Sequence, residues 1–236
     1  KEYRMITLKN WTLLTLTLLL YALPGWCNEI IVKPANQRQS IGKDVLYFID
    51  ETNQLGIKNL PDFGNFKPTD TPVPNFGVTD HAVWLKFDIV NQTGESHLNL
   101  QIDQPLLDEL ELYELQDNGQ YAISKLGEAH PFSERFYGKD PSFIFKLDIP
   151  DGQIRQYYLR VRSYDNIQLP IYIASEKVIL ESSHNKFIIA GLYIGVMLSM
   201  LLYNIFVYFS VRDKSYLYYA AYIIFVILTQ ASIQGF

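Results

Sequence analysis

Alternating runs in the middle of the chain set aromatic rings beside cations. In the run from Ala82, the residues Trp84, Lys86 and Asp88 share one parity, opposite Val83, Leu85, Phe87 and Ile89. In the run from Tyr157, Tyr158, Arg160 and Arg162 oppose Tyr157, Leu159 and Val161. Lys146 lies opposite Phe143, Phe145 and Leu147, and Tyr172 is a further candidate ring. Alternate residues of a strand point to opposite sides, so each run has one apolar face and one face mixing rings with hydrogen-bonding groups. That mixture suits a sugar ring, whose C–H faces stack on aromatics while its hydroxyls take donors and acceptors. The competing reading is an outer sheet face that is solvated or covered by a loop. Arg135, in Pro131-Phe132-Ser133-Glu134-Arg135, could clamp a carboxylate or a sugar hydroxyl through its fork of donors, or pin its loop to a nearby acid; both stay open.

Bond-making chemistry is thinly represented. Paired carboxylates run glycoside hydrolysis, but Asn28 to Lys186 holds 23 Asp and Glu, and among so many some pair always looks suitable. The four histidines, His81, His97, His130 and His184, fall in no metal-binding spacing. Asp50 to Gly56 faintly suggests a calcium loop but lacks the later bidentate acid, and reads better as a strand-ending turn. Asn91-Gln92-Thr93 matches a glycosylation triplet of the kind that arises by chance. There is no phosphate-cradling loop and no dinucleotide fingerprint. We therefore expect no catalytic residue, no metal site and no cofactor.

The elements that must position the candidate residues are short strands. Period-2 runs predict strands at Val45 to Ile49, Ala82 to Val90, Leu98 to Asp103, Glu109 to Leu115, Tyr121 to Leu126, Phe143 to Ile149, Tyr157 to Ser163 and Leu169 to Ala174. Asp117-Asn118-Gly119 and Pro150-Asp151-Gly152 supply turns. Eight strands without intervening helices predict an all-β sandwich, with the jelly roll as its candidate topology, followed by transmembrane α-helices. Pro61 to Pro74 reads as a loop crossing one end of the sandwich.

The average composition hides an uneven chain. Trp11 to Leu23, Phe187 to Val211 and Tyr216 to Phe236 carry no charge, and 46 of their 59 residues are apolar, against 62 of 159 in Asn28 to Lys186. That middle stretch has 15 Lys and Arg against 23 acids, which excludes a cationic nucleic-acid surface. Residues 1–27 have the layout of a signal peptide, basic ahead of a 13-residue apolar run, with cleavage before Asn28 rather than lipidation at Cys27. Cleavage leaves no cysteine, hence no disulfide and no thiol nucleophile. The reading is then a sandwich over 28–175, a juxtamembrane linker over 176–186, a first span over 187–211, a loop over 212–215 and a second span over 216–236. Each span is long enough for a hydrocarbon core of about 30 Å. Gly191, Gly195 and Ser199 form a small-residue stripe, and Asn204 is costly in lipid, so these four are expected to pack against further helices. The leader sets the sandwich outside and Arg212-Asp213-Lys214-Ser215 inside. No methionine opens the chain, so either Met5 is the start or the sequence is a fragment; no polar flank closes it at Phe236, so a truncation inside a larger membrane bundle is expected.

The run Ala190-Gly191-Leu192-Tyr193-Ile194-Gly195, then Leu201-Leu202-Tyr203-Asn204 and Val211-Arg212-Asp213-Lys214-Ser215-Tyr216-Leu217-Tyr218-Tyr219, resembles the start of the membrane region of bacterial seven-transmembrane receptors with diverse intracellular signalling modules. Ala82 to Phe87, Pro105 to Tyr113, Pro131 to Arg135 and Tyr158 to Val161 resemble their type 2 extracellular domain. The resemblance covers about residues 40 to 236 and implies a jelly-roll sensor domain resembling carbohydrate-binding modules, periplasmic and held at the bacterial inner membrane. Its ligand would be a carbohydrate or another small molecule, and its partners the membrane and further helices of the same receptor, with no nucleic acid; a homodimer stays open. The output, such as a histidine kinase or diguanylate cyclase, lies outside these residues. A membrane-tethered binding module without signalling is the alternative, and a periplasmic hydrolase a weaker one.

Overall fold

The computed structural model describes residues 29–61, 63–131 and 140–235. The leader and Arg135 therefore lie outside the described residues. Thirteen strands precede two helices: β1 Glu29–Val32, β2 Gln39–Ser40, β3 Leu46–Asp50, β4 Lys67–Pro68, β5 Asn75–Val78, β6 Ala82–Asn91, β7 His97–Ile102, β8 Glu109–Leu115, β9 Tyr121–Leu126, β10 Phe143–Asp148, β11 Ile154–Arg162, β12 Asn166–Gln168, β13 Ile171–Ala174, α1 Glu176–Val211 and α2 Lys214–Ile233. The larger sheet runs β4-β3-β6-β11-β8-β9, with β1 added parallel to β6, and the smaller runs β10-β7-β13-β2; β5 and β12 form a separate ribbon. The chain is thus a two-sheet β-sandwich followed by two long apolar helices.

The alternation that predicts strands also builds the core. Val83, Leu85, Phe87 and Ile89 of β6 meet Leu98, Leu100 and Ile102 of β7, with Phe143, Phe145 and Leu147 of β10 and Tyr157, Leu159 and Val161 of β11, all in one buried cluster. Phe87 stacks on Tyr157 at 5.9 Å between centroids. Each such side chain withdrawn from water contributes about 1.5 to 3 kcal/mol, so the sandwich rests on its apolar filling without cross-links.

Two turns singled out by sequence are structural. Buried Asp50 ends β3 and accepts from the Thr52 amide and hydroxyl and the Leu55 amide. Asn91 of the glycosylation triplet is fully buried and donates to the Glu95 and Ile149 carbonyls, so its amide is spoken for. Gly127 closes the β9 end: it sits at φ +148°, and a Cβ there would lie 2.0 Å from the Asp108 carbonyl oxygen.

The expected linker is not a separate element. Residues 176–186 form the first three turns of α1, which then continues unbroken to Val211. No Gly or Pro interrupts them, and Ser175 enters in the extended conformation of an N-cap position. Val178 and Ile179 pack with Ile144 and Ala174 on the outer side of the smaller sheet, so burial joins propensity in extending the helix. At 1.5 Å per residue α1 is about 54 Å long and α2 about 30 Å. Arg212, left-handed at φ 56°, ends α1, and the Asp213 carboxylate accepts from the Ser215 amide at 2.8 Å to start α2. Both helices are long and apolar enough to cross a membrane. Most of their large side chains face outward, including Leu192, Phe206, Phe209 and Phe225, a surface that water would not tolerate.

Candidate functional site: the outer face of the large sheet and the sandwich–helix junction

Cross-strand register sets the candidate residues in rows over the outer face of the larger sheet. Lys86 stands beside Tyr158, which stands beside Tyr113 and then Ile123; one row along, Phe48, Trp84, Arg160, Glu111 and Lys125 follow one another. Trp84, Lys86, Tyr158, Arg160 and Arg162 therefore do share a face, as their parity predicts. Tyr172 does not: it lies on β13 in the smaller sheet, paired with Ser40 and Gln101, under the Arg38 guanidinium at 4.3 Å.

Much of this face is closed. Trp84 is 0% exposed, in a second core with Phe66 and Tyr113 that Leu46, Phe48, Ile57, Leu60, Tyr121 and Tyr158 cover. The expectation of Trp84 as an open stacking platform is corrected here. Ile57 and Leu60, and Phe66 from within the proline-rich stretch Pro61 to Pro74, lie over this sheet face. Lys86 is 8% exposed with its ammonium 5.6 Å from the centre of the Tyr158 ring. Arg160 faces Glu111 at 3.6 Å and Glu109 at 3.9 Å. Glu111 also accepts from Tyr113 at 2.7 Å and Lys125 at 2.6 Å. Burial pushes its carboxyl up, but these hydrogen bonds and cations outweigh it and hold it below the ordinary value. Arg162 reaches the Tyr164 hydroxyl at 3.3 Å, while Asp108 accepts from the Tyr164 amide and the Ser163 hydroxyl.

The face opens toward one end. Tyr121 and Tyr158 meet edge to face at 6.1 Å, both half-buried, and the Tyr158 hydroxyl reaches Gln156 at 3.4 Å. Gln156 donates to Asp88 at 3.0 Å. Beside them a hollow of about 300 Å³ is walled by Asp88, Gln116, Asp117, Arg155 and Gln156. Arg155 grips Asp117 through both terminal nitrogens, at 2.5 and 3.1 Å. Two rings beside acids, amides and a guanidinium can bind a polar ring-shaped molecule. Among the described residues no cluster of three or more His, Cys, Asp or Glu could hold a metal ion.

A second constellation, at the junction of sandwich and helix, joins positions far apart in sequence. Asp103, just past β7, accepts from Lys186 of α1, from Arg38 at 3.2 Å and from the Ser142 hydroxyl at 3.0 Å. Burial pushes the Asp103 carboxyl up, but Lys186 and Arg38 prevail and hold it below its ordinary value. Asp140 accepts from the Ser142 amide at 2.8 Å and from the Ser183 hydroxyl of α1. Along the helices, Asn204 is buried and donates to the Met200 carbonyl at 2.7 Å, and Ser199 donates to the Gly195 carbonyl at 2.9 Å. A Cβ at Gly191 or Gly195 would meet nothing within 4 Å, so α2 does not lie on the small-residue stripe.

Several solved structures are similar to the sandwich at low identity. TmCBM61, solved in complex with β-1,4-galactotriose, matches at 8% identity over 57% of this chain and 90% of its own, with a TM-score of 0.33. A β-glucosidase from Kluyveromyces marxianus matches at 13% identity over 56% of this chain and 16% of its own, with a TM-score of 0.34. A β-glucuronidase from Ruminococcus gnavus in complex with D-glucaro-1,5-lactone matches at 16% identity over 56% of this chain and 23% of its own, with a TM-score of 0.33. No curated protein matches the sequence. The family model described as 7TMR-DISM extracellular 2 matches residues 42–175, the span of the sandwich from β3 to the end of β13. The one described as 7TM diverse intracellular signalling matches 186–236, which begins at the Lys186 that holds Asp103. Sandwich, membrane-length helices and both matches agree: the chain belongs to the 7TMR-DISM family of membrane sensory receptors, with its N-terminal domain outside the cytoplasm.

Proposed function

We propose that the sandwich is a periplasmic sensor at a bacterial inner membrane, and that it binds a carbohydrate or a similar small polar ring at the open end of its outer face. Binding there reaches the membrane region through α1. The observation that supports this reading is the continuity of Glu176–Val211, one helix whose first turns pack one face on the sandwich through Val178, Ile179 and Ser183 and whose remainder belongs to the membrane region. A rigid rod fixed in the sensor carries displacement without loss in a flexible spacer. Tyr121 and Tyr158 supply the stacking surface, and Asp88, Gln156 and Arg155 the hydrogen bonds; Trp84 holds the rings from beneath. Arg160, Arg162 and Lys86 hold the face together electrostatically, and no bond is made or broken. The signal would pass to a cytoplasmic module such as a histidine kinase or diguanylate cyclase. A ligand shifts the helices only to the extent that it binds one arrangement better.

The test uses the full chain in lipid nanodiscs, spin-labelled at the exposed Asn118 turn and at Lys214, titrated with a panel of soluble glycans. A glycan should bind and change the distance between labels, and Tyr158→Ala should weaken that binding about tenfold, the worth of one stacked ring. If no glycan binds, the ligand class is wrong; if one binds with the distance unchanged, the relay is wrong.

A further inference from the structure

Below the Asp103 and Asp140 contacts the sandwich does not close against the helices. A cavity of about 560 Å³ remains between the base of the sandwich and the two helices. Asp103 and Asp140 line its roof; Lys186, Ala190 and Tyr193 of α1 and Ile233 of α2 line its walls. The volume is that of an ordinary small-molecule pocket. Its lining is mixed: the sandwich end offers carboxylates and serines, and the helix side below offers Ala190, Tyr193 and Ile233 together with the amides of Gln230 and Gln234. It lies on a different part of the molecule from the outer-face hollow beside Tyr158, and its lining shares no residue with it.

The two carboxylates are not equivalent. Asp103 is matched by two cations, Lys186 and Arg38. Asp140 is only 6% exposed, yet among the described residues its partners are two neutral donors, the Ser142 amide and the Ser183 hydroxyl. An ionised carboxylate offers about four acceptor positions, so roughly two of Asp140's remain. A buried carboxylate without a cation is costly, and a cation delivered to it recovers that cost.

We propose that this cavity binds an amine-bearing amphiphile, its ammonium head on Asp140 and its apolar body between α1 and α2 against Ala190, Tyr193 and Ile233. The head brings a positive charge and further N–H donors to an Asp140 whose partners among the described residues are both neutral, and the body fills the part of the chamber that water would wet poorly. The bound molecule touches sandwich, α1 and α2 at once, so it sets the spacing of all three. An anionic head would meet the Asp140 carboxylate, while the Lys186 ammonium that lines the same cavity is already engaged by Asp103, so that geometry disfavours it. The ammonium could come from a bilayer lipid or from a soluble amphipathic amine that partitions into the membrane.

Native mass spectrometry of the full chain released from detergent micelles tests this by counting retained molecules. The probes are dodecylammonium, dodecanol and dodecanoate at equal concentration, with phosphatidylethanolamine against phosphatidylglycerol of matched chains as the lipid arm. The wild type should retain one dodecylammonium or one phosphatidylethanolamine, at least about tenfold in preference to its uncharged or anionic counterpart. Asp140→Asn should lose that preference, and Ala190→Phe should lose retention while keeping the carboxylate. Retention of the alkylamine alone assigns a soluble source, and of the ethanolamine lipid a bilayer source. Should Asp140→Asn fail to fold, Ala190→Phe decides by itself. Equal retention of amine, alcohol and carboxylate, or an amine adduct that survives Ala190→Phe, overturns the proposal, as does no retention of any amine.

Discussion

The Lys186 ammonium donates to the Asp103 carboxylate across 83 positions of sequence, tying the eleventh residue of α1 to the residue that follows β7. With Ser183 on Asp140 one turn earlier, it makes the sandwich and the membrane-length helix share two hydrogen bonds, one buried and one at the surface. The contact fixes the direction in which α1 leaves the sandwich.

Removing this pair should loosen the junction in a pH-dependent way. The Asp103 carboxyl is held below its ordinary value of 3.8, so the unfolded chain binds the proton more tightly. Its contribution is therefore fully present above that value and lost as pH falls through the depressed one. The groups facing it are Lys186 and Arg38, with the Ser142 hydroxyl. Asp103→Asn should cost about 2 kcal/mol at pH 7 and flatten the acid limb of stability. Thermal melts of both proteins from pH 7 to pH 3 check this.

Glu114 should behave with the opposite sign. Burial raises its carboxyl above 4.5, Asp148 and Asp117 add to the rise, and Arg155 opposes it. The folded state then binds the proton more tightly, so stability is fully present below the ordinary value and declines as pH rises through the raised one. Glu114→Gln should remove that decline and leave the protein at least as stable as wild type at pH 7, as melts across pH 4 to 8 would record.

Trp84→Ala should act on folding before it acts on any ligand. The ring is fully buried against Tyr113 at 5.4 Å, so truncation costs about 3 to 5 kcal/mol, or a melting temperature lower by roughly 10 °C. Its indole N–H is buried without a partner among the described residues, so Trp84→Phe gives up no hydrogen bond and should cost markedly less. Calorimetry of the two variants distinguishes lost volume from lost binding.

One alanine inserted after Lys186 should uncouple the sensor while leaving the sandwich intact. A single residue rotates all that follows by about 100° and advances it 1.5 Å, whereas the contacts of Val178, Ile179, Ser183 and Lys186 with the sandwich stay in place. The melting transition should fall only by the share that the Gly235 contact with Pro105 and Pro141 contributes, and the ligand-dependent distance between Asn118 and Lys214 should be lost. The insertion tests α1 as a rigid rod.

The two strands that flank a turn evident in the sequence were legible to the residue. Glu109–Leu115 and Tyr121–Leu126 lie on either side of Asp117-Asn118-Gly119, where Gly119 takes φ +76° as such a turn demands. The strands that sequence reading missed, Glu29–Val32, Gln39–Ser40, Lys67–Pro68, Asn75–Val78 and Asn166–Gln168, have two to four residues, too few to display a period. Parity placed Trp84, Tyr158 and Arg160 on one face because it is a local property of a strand. It could not say which sheet receives Tyr172, nor that Ile57, Leu60 and Phe66 close over Trp84, because neither depends on spacing. The junction of Asp103, Asp140, Ser183 and Lys186 was missed for the same reason. Its one local signal was Lys186, the last charge before the uncharged stretch.

Where α2 returns to the sandwich, Gly235 lies so close to Pro105 and Pro141 that a Cβ there would stand 2.8 and 3.0 Å from their side chains. The helical hairpin is therefore anchored at two places, Lys186 on one leg and Gly235 on the other. A rod fastened at one point can swivel; a frame fastened at two can only rock about the line between them. Rocking opens or closes the legs' far turn at Arg212-Asp213 and leaves rotation about the membrane normal suppressed. A bulky side chain at position 235 would prise out one anchor and turn a rocker into a swivel.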